Sequence, residues 1–487
     1  MHRITAATMA PLFGIAASRR IEQAAAANLP PHALMQRAGL AVARLAMAIA
    51  PHARTIWIAC GPGNNGGDGF EAAAQLQQRG FAPVVTRIGD DARLPADAAA
   101  SLQRAHDAGV RFTNAPPAHA DLAIDALLGL GAARSPEGTM ADWLRRMHAG
   151  PAPVLSVDTP SGLNADTGML SLDFMASAAG AAHGVRRLCL SLLTLKPGLF
   201  MAQGRDAAGE LWFDDLEAVP GIEPPTARLA GEPLAAARPH ASHKGSYGDV
   251  AVIGGAPGMA GAALLAATAA LHAGAGRVYV APLDAALVAL DATQPELMFR
   301  SPEALDLAAM TVVCGCGGGA AVRAPLPRVL EEARALVLDA DALNAIAADG
   351  ALQALLRTRA RTGRATVITP HPLEAARLLG TGTADVQADR LSAAQRLAER
   401  FDATIVLKGS GTIVAAAGET PVINPTGNAR LATAGTGDVL AGMIGAALAA
   451  GRPATEASRE AVWLHGERAD RWPASLPLTA GALARGC

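Results

Sequence analysis

Short apolar runs that end in glycine-rich loops recur along this chain, and each is followed by a segment with helical spacing. Thr55–Cys60 runs into Gly61-Pro-Gly-Asn-Asn-Gly-Gly-Asp-Gly69, with a helix expected from Phe70. Pro83–Ile88, Leu122–Leu128 and Pro153–Val157 read as further strands. Later strands are expected at Val250–Gly254, Arg277–Ala281, Met310–Cys314, Ala335–Leu338, Thr366–Thr369 and Thr404–Leu407, with a helix over Gly258–Gly274. A strand followed by a helix and a second strand pairs parallel, because the crossover returns the chain to the same end. The pattern therefore predicts α/β architecture with parallel sheets. Ligands are expected at the carboxyl ends of the strands, where the loops gather. Upstream, Ile21–Ala50 is expected to be helical with a break at Pro30-Pro31, and Met35, Leu40, Val42, Leu45 and Ile49 fall on one face.

A chain of 487 residues has room for two domains or more, each with its own core. Gly204–Pro239 is rich in Pro, Ala and Glu, including Pro220, Pro224, Pro225 and Pro233, which places the boundary there. The expected domains are 1–220 and 226–487. Lys+Arg 41 against Asp+Glu 43, without a basic run, argues against a nucleic-acid partner. Cys60, Cys189, Cys314, Cys316 and Cys487 are odd in number and lack C-x-x-C pairs, so neither a disulfide framework nor a zinc site is expected. The N-terminus is too broken for a signal peptide, and Gly258–Gly276 reads as a buried Ala/Gly helix and not a membrane span. The cytoplasm is the expected location.

The chemistry concentrates in a few loops. Asn428–Gly442 centres on Gly435-Thr436-Gly437-Asp438 and opens an apolar helix. A glycine turn at a helix N-terminus aims backbone N–H groups and the positive end of the helix dipole at one spot, which favours an anion. Asp438 there is either a helix cap or a general base taking a proton from a hydroxyl that attacks a phosphate. Two strands of the first half end close to carboxylates, Asp125 and Asp158. A single such aspartate can simply hydrogen-bond its loop. Two of them beside an Asn-Asn-Gly-Gly-Asp loop point to a site. His371, between Pro370 and Pro372, is either a buried structural histidine or a ligand contact.

These motifs carry a resemblance that spans nearly the whole chain. Met35-Gln-Arg-Ala-Gly39, Gly61–Gly69, Asp125-Ala-Leu-Leu-Gly129, Asp158-Thr-Pro-Ser-Gly162 and Leu195-Lys-Pro-Gly198 resemble the YjeF-type N-terminal domain, an NAD(P)H-hydrate epimerase with a Rossmann-like fold. His243-Lys-Gly245, Asp339-Ala-Asp-Ala-Leu343, Thr369-Pro-His-Pro372, Lys408-Gly409 and Gly435–Asp438 resemble the ribokinase-like NAD(P)H-hydrate dehydratases. In this order they resemble the bifunctional bacterial repair family. The resemblance implies epimerisation of hydrated NADH and NADPH, then dehydration of the S form at the expense of ADP, with Mg2+ alongside. It implies K+ on Asn65, Asp125 and Ser161, all oxygen donors. Substrate contacts carry over to Asn64, Asn65, Gly66, Gly67 and Asp68, to Gly129, Leu130, Gly131, Ala132, Ala133, Arg134 and Ser135, and to Asp158 as proton shuttle. In the second half they carry over to Ala262, Gly317, His371 and the base Asp438. Nucleotide contacts carry over to Lys408, Gly409, Ser410, Gly411, Thr412 and Gly437. A homo-oligomer acting on small molecules is expected. The chain departs from the pattern at Gln36 (usually Glu), Cys316 and Gly318 (usually Pro and Leu), Leu373 (usually Gly) and Ala181–Leu188, which lacks an Ala-Asp pair before its strand. The alternative is a ribokinase-like vitamin-precursor kinase fused to a non-catalytic YjeF-type binding module.

Overall fold

The computed structural model describes residues 1–130, 135–171, 185–218, 221–234, 238–284, 286 and 290–486. The chain divides into two compact units, Met1–Arg228 and Leu229–Cys487.

The first unit is built on an eight-stranded sheet. Its strands are β1 (His2–Arg3), β2 (Ile56–Cys60), β3 (Pro83–Arg87), β4 (Arg111–Phe112), β5 (Leu122–Ala126), β6 (Val154–Val157), β7 (Arg187–Leu192) and β8 (Glu210–Asp214). They lie in the order β1-β8-β7-β6-β5-β2-β3-β4. All neighbours are parallel except β1 on β8. The chain leaves β2 toward β3 and returns on its other side as β5, so the switch point lies between the ends of β2 and β5. Helices α1 (Ile15–Ala26) and α2 (Ala33–Ile49) are separated at Pro30-Pro31, as the sequence predicts. Leu45, Val42, Ile58, Phe70 and Ile124 lie in one buried cluster.

Two expectations are corrected here. The helix after β2 begins at Asn64, not Phe70: α3 spans Asn64–Gln78. Its first turns use glycine for close approach, since a Cβ on Gly69 would stand 2.7 Å from Ala126 Cβ and Cys60 Sγ. The proposed linker from Gly204 also starts too early. Gly204–Ala208 is helical and β8 pairs with β7, Cys189 opposite Leu211. Of Ala181–Leu188, residues 181–184 lie outside the described residues. Arg187 and Leu188 open β7, which pairs with β6.

The second unit carries β9 (Asp249–Gly254), β10 (Arg277–Pro282), β11 (Met298–Phe299), β12 (Thr311–Cys314), β13 (Ala335–Leu338), β14 (Thr366–Ile368), β15 (Thr404–Leu407), β16 (Ile413–Ala415) and β17 (Val422–Ile423). They lie in the order β11-β10-β9-β12-β13-β14-β15-β16-β17. Pairing is parallel as far as β15 and antiparallel from β15 to β17. The sheet strands are almost entirely buried and rich in Val, Ile and Leu, as strands covered on both faces must be. Helices α4 (Ala260–His272) and α5 (Thr436–Ala449) approach closely, because a Cβ on Gly442 would collide with the Ala266 backbone. No helix of the described residues is long and apolar enough to cross a membrane.

Candidate active sites

In the second unit, three parallel strands deliver polar groups to one edge. Asp339 follows β13 and is 1% exposed. Its Oδ1 accepts from Lys408 Nζ at 2.6 Å and from Thr369 Oγ1 at 2.7 Å. Lys408 follows β15; burial disfavours its charge, but Asp339 and then Glu374 outweigh that and raise its pKa. Gly435 adopts φ +89 and opens α5, which puts Asp438 in the first turn. Gly437 is where the lysine meets this helix: a Cβ there would lie 3.3 Å from Lys408 Nζ. Asp438 is not the cap of α5, whose N-cap is Gly435 with no side-chain bond. The Cys316 Sγ and a carboxylate oxygen of Asp438 lie within 4.8 Å of each other. Burial, then the neighbouring Asp339 charge, push the Asp438 carboxyl up to about 6. A carboxyl poised there can take and release a proton near neutral pH.

The rest of the expected set frames this centre. A Cβ on Gly317 would stand 2.8 Å from Ala262 Cβ, so these two positions form one wall. His371 is not buried. It caps the helix Pro372–Leu379, its Nδ1 accepting from the Leu373 and Glu374 N–H groups at 3.0 and 3.3 Å, with its side chain 46% exposed. Burial, then Lys408, lower its pKa, which keeps the ring neutral. Glu374 returns the cap through the His371 N–H at 2.8 Å, and burial raises its own carboxyl to about 6. The Lys408–Thr412 loop leaves Gly409 and Ser410 exposed. Thr412 Oγ1 donates to the Gly409 carbonyl at 3.1 Å. Arg390, 2% exposed, holds the loop from beneath by donating to the Leu407 and Gly411 carbonyls at 3.4 and 3.3 Å. Nothing in the local sequence singles Arg390 out, since its role depends on a strand distant in the chain.

In the first unit the switch point gathers α3 and the loop after β5. Asn64 is exposed and Asn65 is 9% exposed. Asn65 Oδ1 lies 3.1 Å from the place a Cβ on Gly129 would take. Its buried Nδ2 has no hydrogen-bond partner among the described residues. Gly66 and Gly67 are buried, and Gly129 and Leu130 are partly exposed. Ser135 is exposed, and Gly131, Ala132, Ala133 and Arg134 lie outside the described residues. Asp125 is fully buried: Oδ1 accepts from Ser161 Oγ at 2.6 Å and from the Leu127 N–H at 3.2 Å, and Oδ2 from the Ser161 N–H at 2.9 Å. Burial raises its carboxyl despite these bonds. No described residue supplies Asp125 with a positive counter-charge. A buried carboxylate beside hydroxyl and amide oxygens fits a monovalent cation, which would supply that charge.

Asp158 sits at φ +65 at the end of β6, a strained conformation for a non-glycine residue. Its Oδ1 accepts from the Leu192 N–H at 3.1 Å and pairs with Lys196, which is 1% exposed. Lys196 Nζ also donates to the Leu192 carbonyl at 2.8 Å. Burial, then the charges of Asp158 and Glu22, push the Asp68 carboxyl well above the ordinary range. Glu22 was not singled out in the sequence. Ser18 Oγ lies 2.7 Å from Thr194 Oγ1, which seats α1 on the loop after β7. Glu22, one turn further, faces Asp158 and Lys196, and burial, then Asp158, raise its pKa. One lysine thus stands among three carboxylates, an arrangement that can hold and pass a proton.

These features define a two-domain α/β protein with titratable groups clustered at a sheet edge in each unit and, in the second, a glycine-opened helix N-terminus beside them. Residues 250–483 match the family described as NAD(P)H-hydrate dehydratase, and residues 31–198 match the YjeF-related protein N-terminus. The bifunctional NAD(P)H-hydrate repair enzyme Nnr of Escherichia coli (strain K12) is 36% identical over 470 residues, 93% of this chain and 88% of that protein. An ADP-dependent (S)-NAD(P)H-hydrate dehydratase of Neisseria meningitidis serogroup B is 46% identical over 255 residues, 51% of this chain and 85% of the relative. A solved Bacillus subtilis ADP/ATP-dependent NAD(P)H-hydrate dehydratase, co-crystallised with ATP and Mg2+, is 29% identical and covers 51% of this chain and 91% of that one, with TM-score 0.43. The chain belongs to the bifunctional NAD(P)H-hydrate repair enzymes.

Proposed function

We propose that the first domain interconverts the R and S hydrates of NADH and NADPH and that the second returns the S hydrate to the reduced cofactor at the expense of ADP. The observation that supports the second step most is Asp438. It is a carboxylate with its pKa raised to about 6, on the first turn of a helix whose N-terminus receives anions, beside the Lys408–Asp339 pair. The substrate hydroxyl gives its proton to Asp438 while its oxygen bonds the terminal phosphorus of ADP, and AMP leaves. The Gly437 and Asp438 N–H groups and Lys408 receive the charge developing on the phosphoryl oxygens. The C–O bond then breaks with release of phosphate, and loss of a neighbouring ring proton restores the double bond. Mg2+ accompanying ADP would neutralise part of the phosphate charge.

In the first domain Asp125, Ser161 and Asn65 hold K+, which supplies the counter-charge that buried Asp125 lacks. Asp158, paired with Lys196, and the raised carboxyl of Asp68 move the proton as the hydrated carbon inverts. The protein acts in the cytoplasm as a homo-oligomer, which size-exclusion chromatography with light scattering checks. The test of the catalytic reading uses pure S hydrate with ADP and Mg2+. The wild type restores the reduced-nicotinamide absorbance and releases AMP, and D438N does neither. Turnover by D438N near the wild-type rate would reduce Asp438 to a structural residue.

A further inference from the structure

We infer, on the dehydratase reading above, that Arg390 is a positioning residue for the nucleotide: its buried guanidinium holds the Lys408–Thr412 loop in place, and the phosphates of ADP supply the counter-charge that the protein itself does not. Arg390 opens the helix Arg390–Phe401 and is 2% exposed. Its Nη2 donates to the Leu407 and Gly411 carbonyls at 3.4 and 3.3 Å, so it grips the chain on both sides of the loop tip. A Cβ on Gly409, which sits at φ +135, would collide with Arg390 Nη1, so the guanidinium lies against the loop backbone. Gly409 is exposed all the same. Neither the Gly409 nor the Gly411 N–H donates to a main-chain carbonyl among the described residues. With two carbonyls turned onto the guanidinium, these main-chain donors remain for an anion.

What the guanidinium lacks is a carboxylate. Its Nη1 donates to the neutral Gln387 side chain, Oε1 at 3.3 Å, and its buried Nε has no partner among the described residues. The adjacent Asp389 is engaged elsewhere, its Oδ1 accepting from the Ser392 N–H at 3.0 Å. Asp385 likewise accepts from the Gly382 N–H at 3.0 Å. Burial lowers the Arg390 pKa to about 10, so the charge persists at neutral pH. A buried charge without a counter-ion destabilises the empty fold, and its field is weakly screened. An anion seated on the loop offsets that cost, which couples ADP affinity to the guanidinium charge.

Gln387 supplies a variant that separates charge from packing. It is exposed, so Q387E sets a carboxylate beside the guanidinium without disturbing the core. The test measures, on the full chain, the Kd for ADP with Mg2+ by calorimetry and the Tm without nucleotide. It adds kcat and KM for ADP on pure S hydrate, for the wild type, Q387E, R390K and R390M. Q387E is expected to raise the Tm yet weaken ADP binding about three- to tenfold, with kcat at saturating ADP unchanged. R390M is expected to raise Kd and KM for ADP about tenfold or more, with the loss in KM and not in kcat, and R390K, which keeps the charge, to recover part of it. A folded R390M that binds ADP as the wild type does would make Arg390 a structural prop and overturn the inference. If R390M does not fold, Q387E decides: unchanged ADP affinity, or affinity lost together with Tm, overturns it. A wild type that neither binds ADP nor restores the reduced cofactor would instead overturn the dehydratase reading itself.

Discussion

Replacing Lys196 by methionine tests how the first domain holds its acid–base centre. Lys196 is 1% exposed and pairs with Asp158, whose side chain is 12% exposed. The ammonium also donates to the Leu192 carbonyl at 2.8 Å and the Ser191 hydroxyl at 3.3 Å. Methionine fills similar space but leaves Asp158 as a buried charge without its cation. Removing one partner of a buried ion pair costs about 3–5 kcal/mol, a large part of a domain's stability of about 5–15 kcal/mol. Replacing both partners, K196M with D158N, should recover most of that loss, because the uncompensated charge is gone. Trp57, Trp143 and Trp212 lie in the first unit and report its denaturant transition. A K196M loss below about 1 kcal/mol, or losses in the double variant that simply add, would refute the claim that Lys196 compensates Asp158.

Other outcomes follow from the same geometry. Dehydration should weaken as pH falls through about 6, where Asp438 takes up a proton and ceases to act as a base, and D438N should lose about 10²–10⁴ in rate above that pH, with the loss shrinking below it. D125A should abolish the K+ response of epimerisation and leave dehydration of pure S hydrate unchanged; equal loss of both activities would contradict separate sites. A cut within Gly231–Leu234 should give two soluble pieces. It spares the bonds from the Thr226 N–H to the Leu12 carbonyl and from the Gly14 N–H to Thr226 Oγ1, both within the first unit. The N-terminal piece should epimerise without nucleotide, and the C-terminal piece should repair only the S fraction. A C-terminal piece soluble only when co-expressed with the first would contradict that boundary.

The parallel strands were legible because buried strands must be continuous apolar runs, as in β13 and β15, which match their expected limits. The start of α3 was not, because Gly and Asn are weak helix formers. Only the facing atoms of Cys60, Ala126 and Met35 explain why glycines occupy its first turns. β8 was hidden by the Pro-rich composition that follows it. Asp438 and Asp125 stood out because each lies at a helix start or strand end, at the edge of its own sheet, whereas Lys408 and Ser161 drew attention only through the family resemblance. Glu22 and Arg390 did not, because each acquires its role from a segment far away in sequence. His371 shows the limit from the other side: its flanking prolines mark a helix start, but the bond that the Leu373 N–H donates to Nδ1 belongs to the folded state.

The most direct test of the two-step account is the stoichiometry of repair on a mixture of R and S hydrates with ADP, Mg2+ and K+. The account predicts complete recovery of the reduced-nicotinamide absorbance, with one AMP and one phosphate released for each cofactor restored, R included. Recovery that halts at the initial S fraction, or that proceeds without AMP, would contradict it.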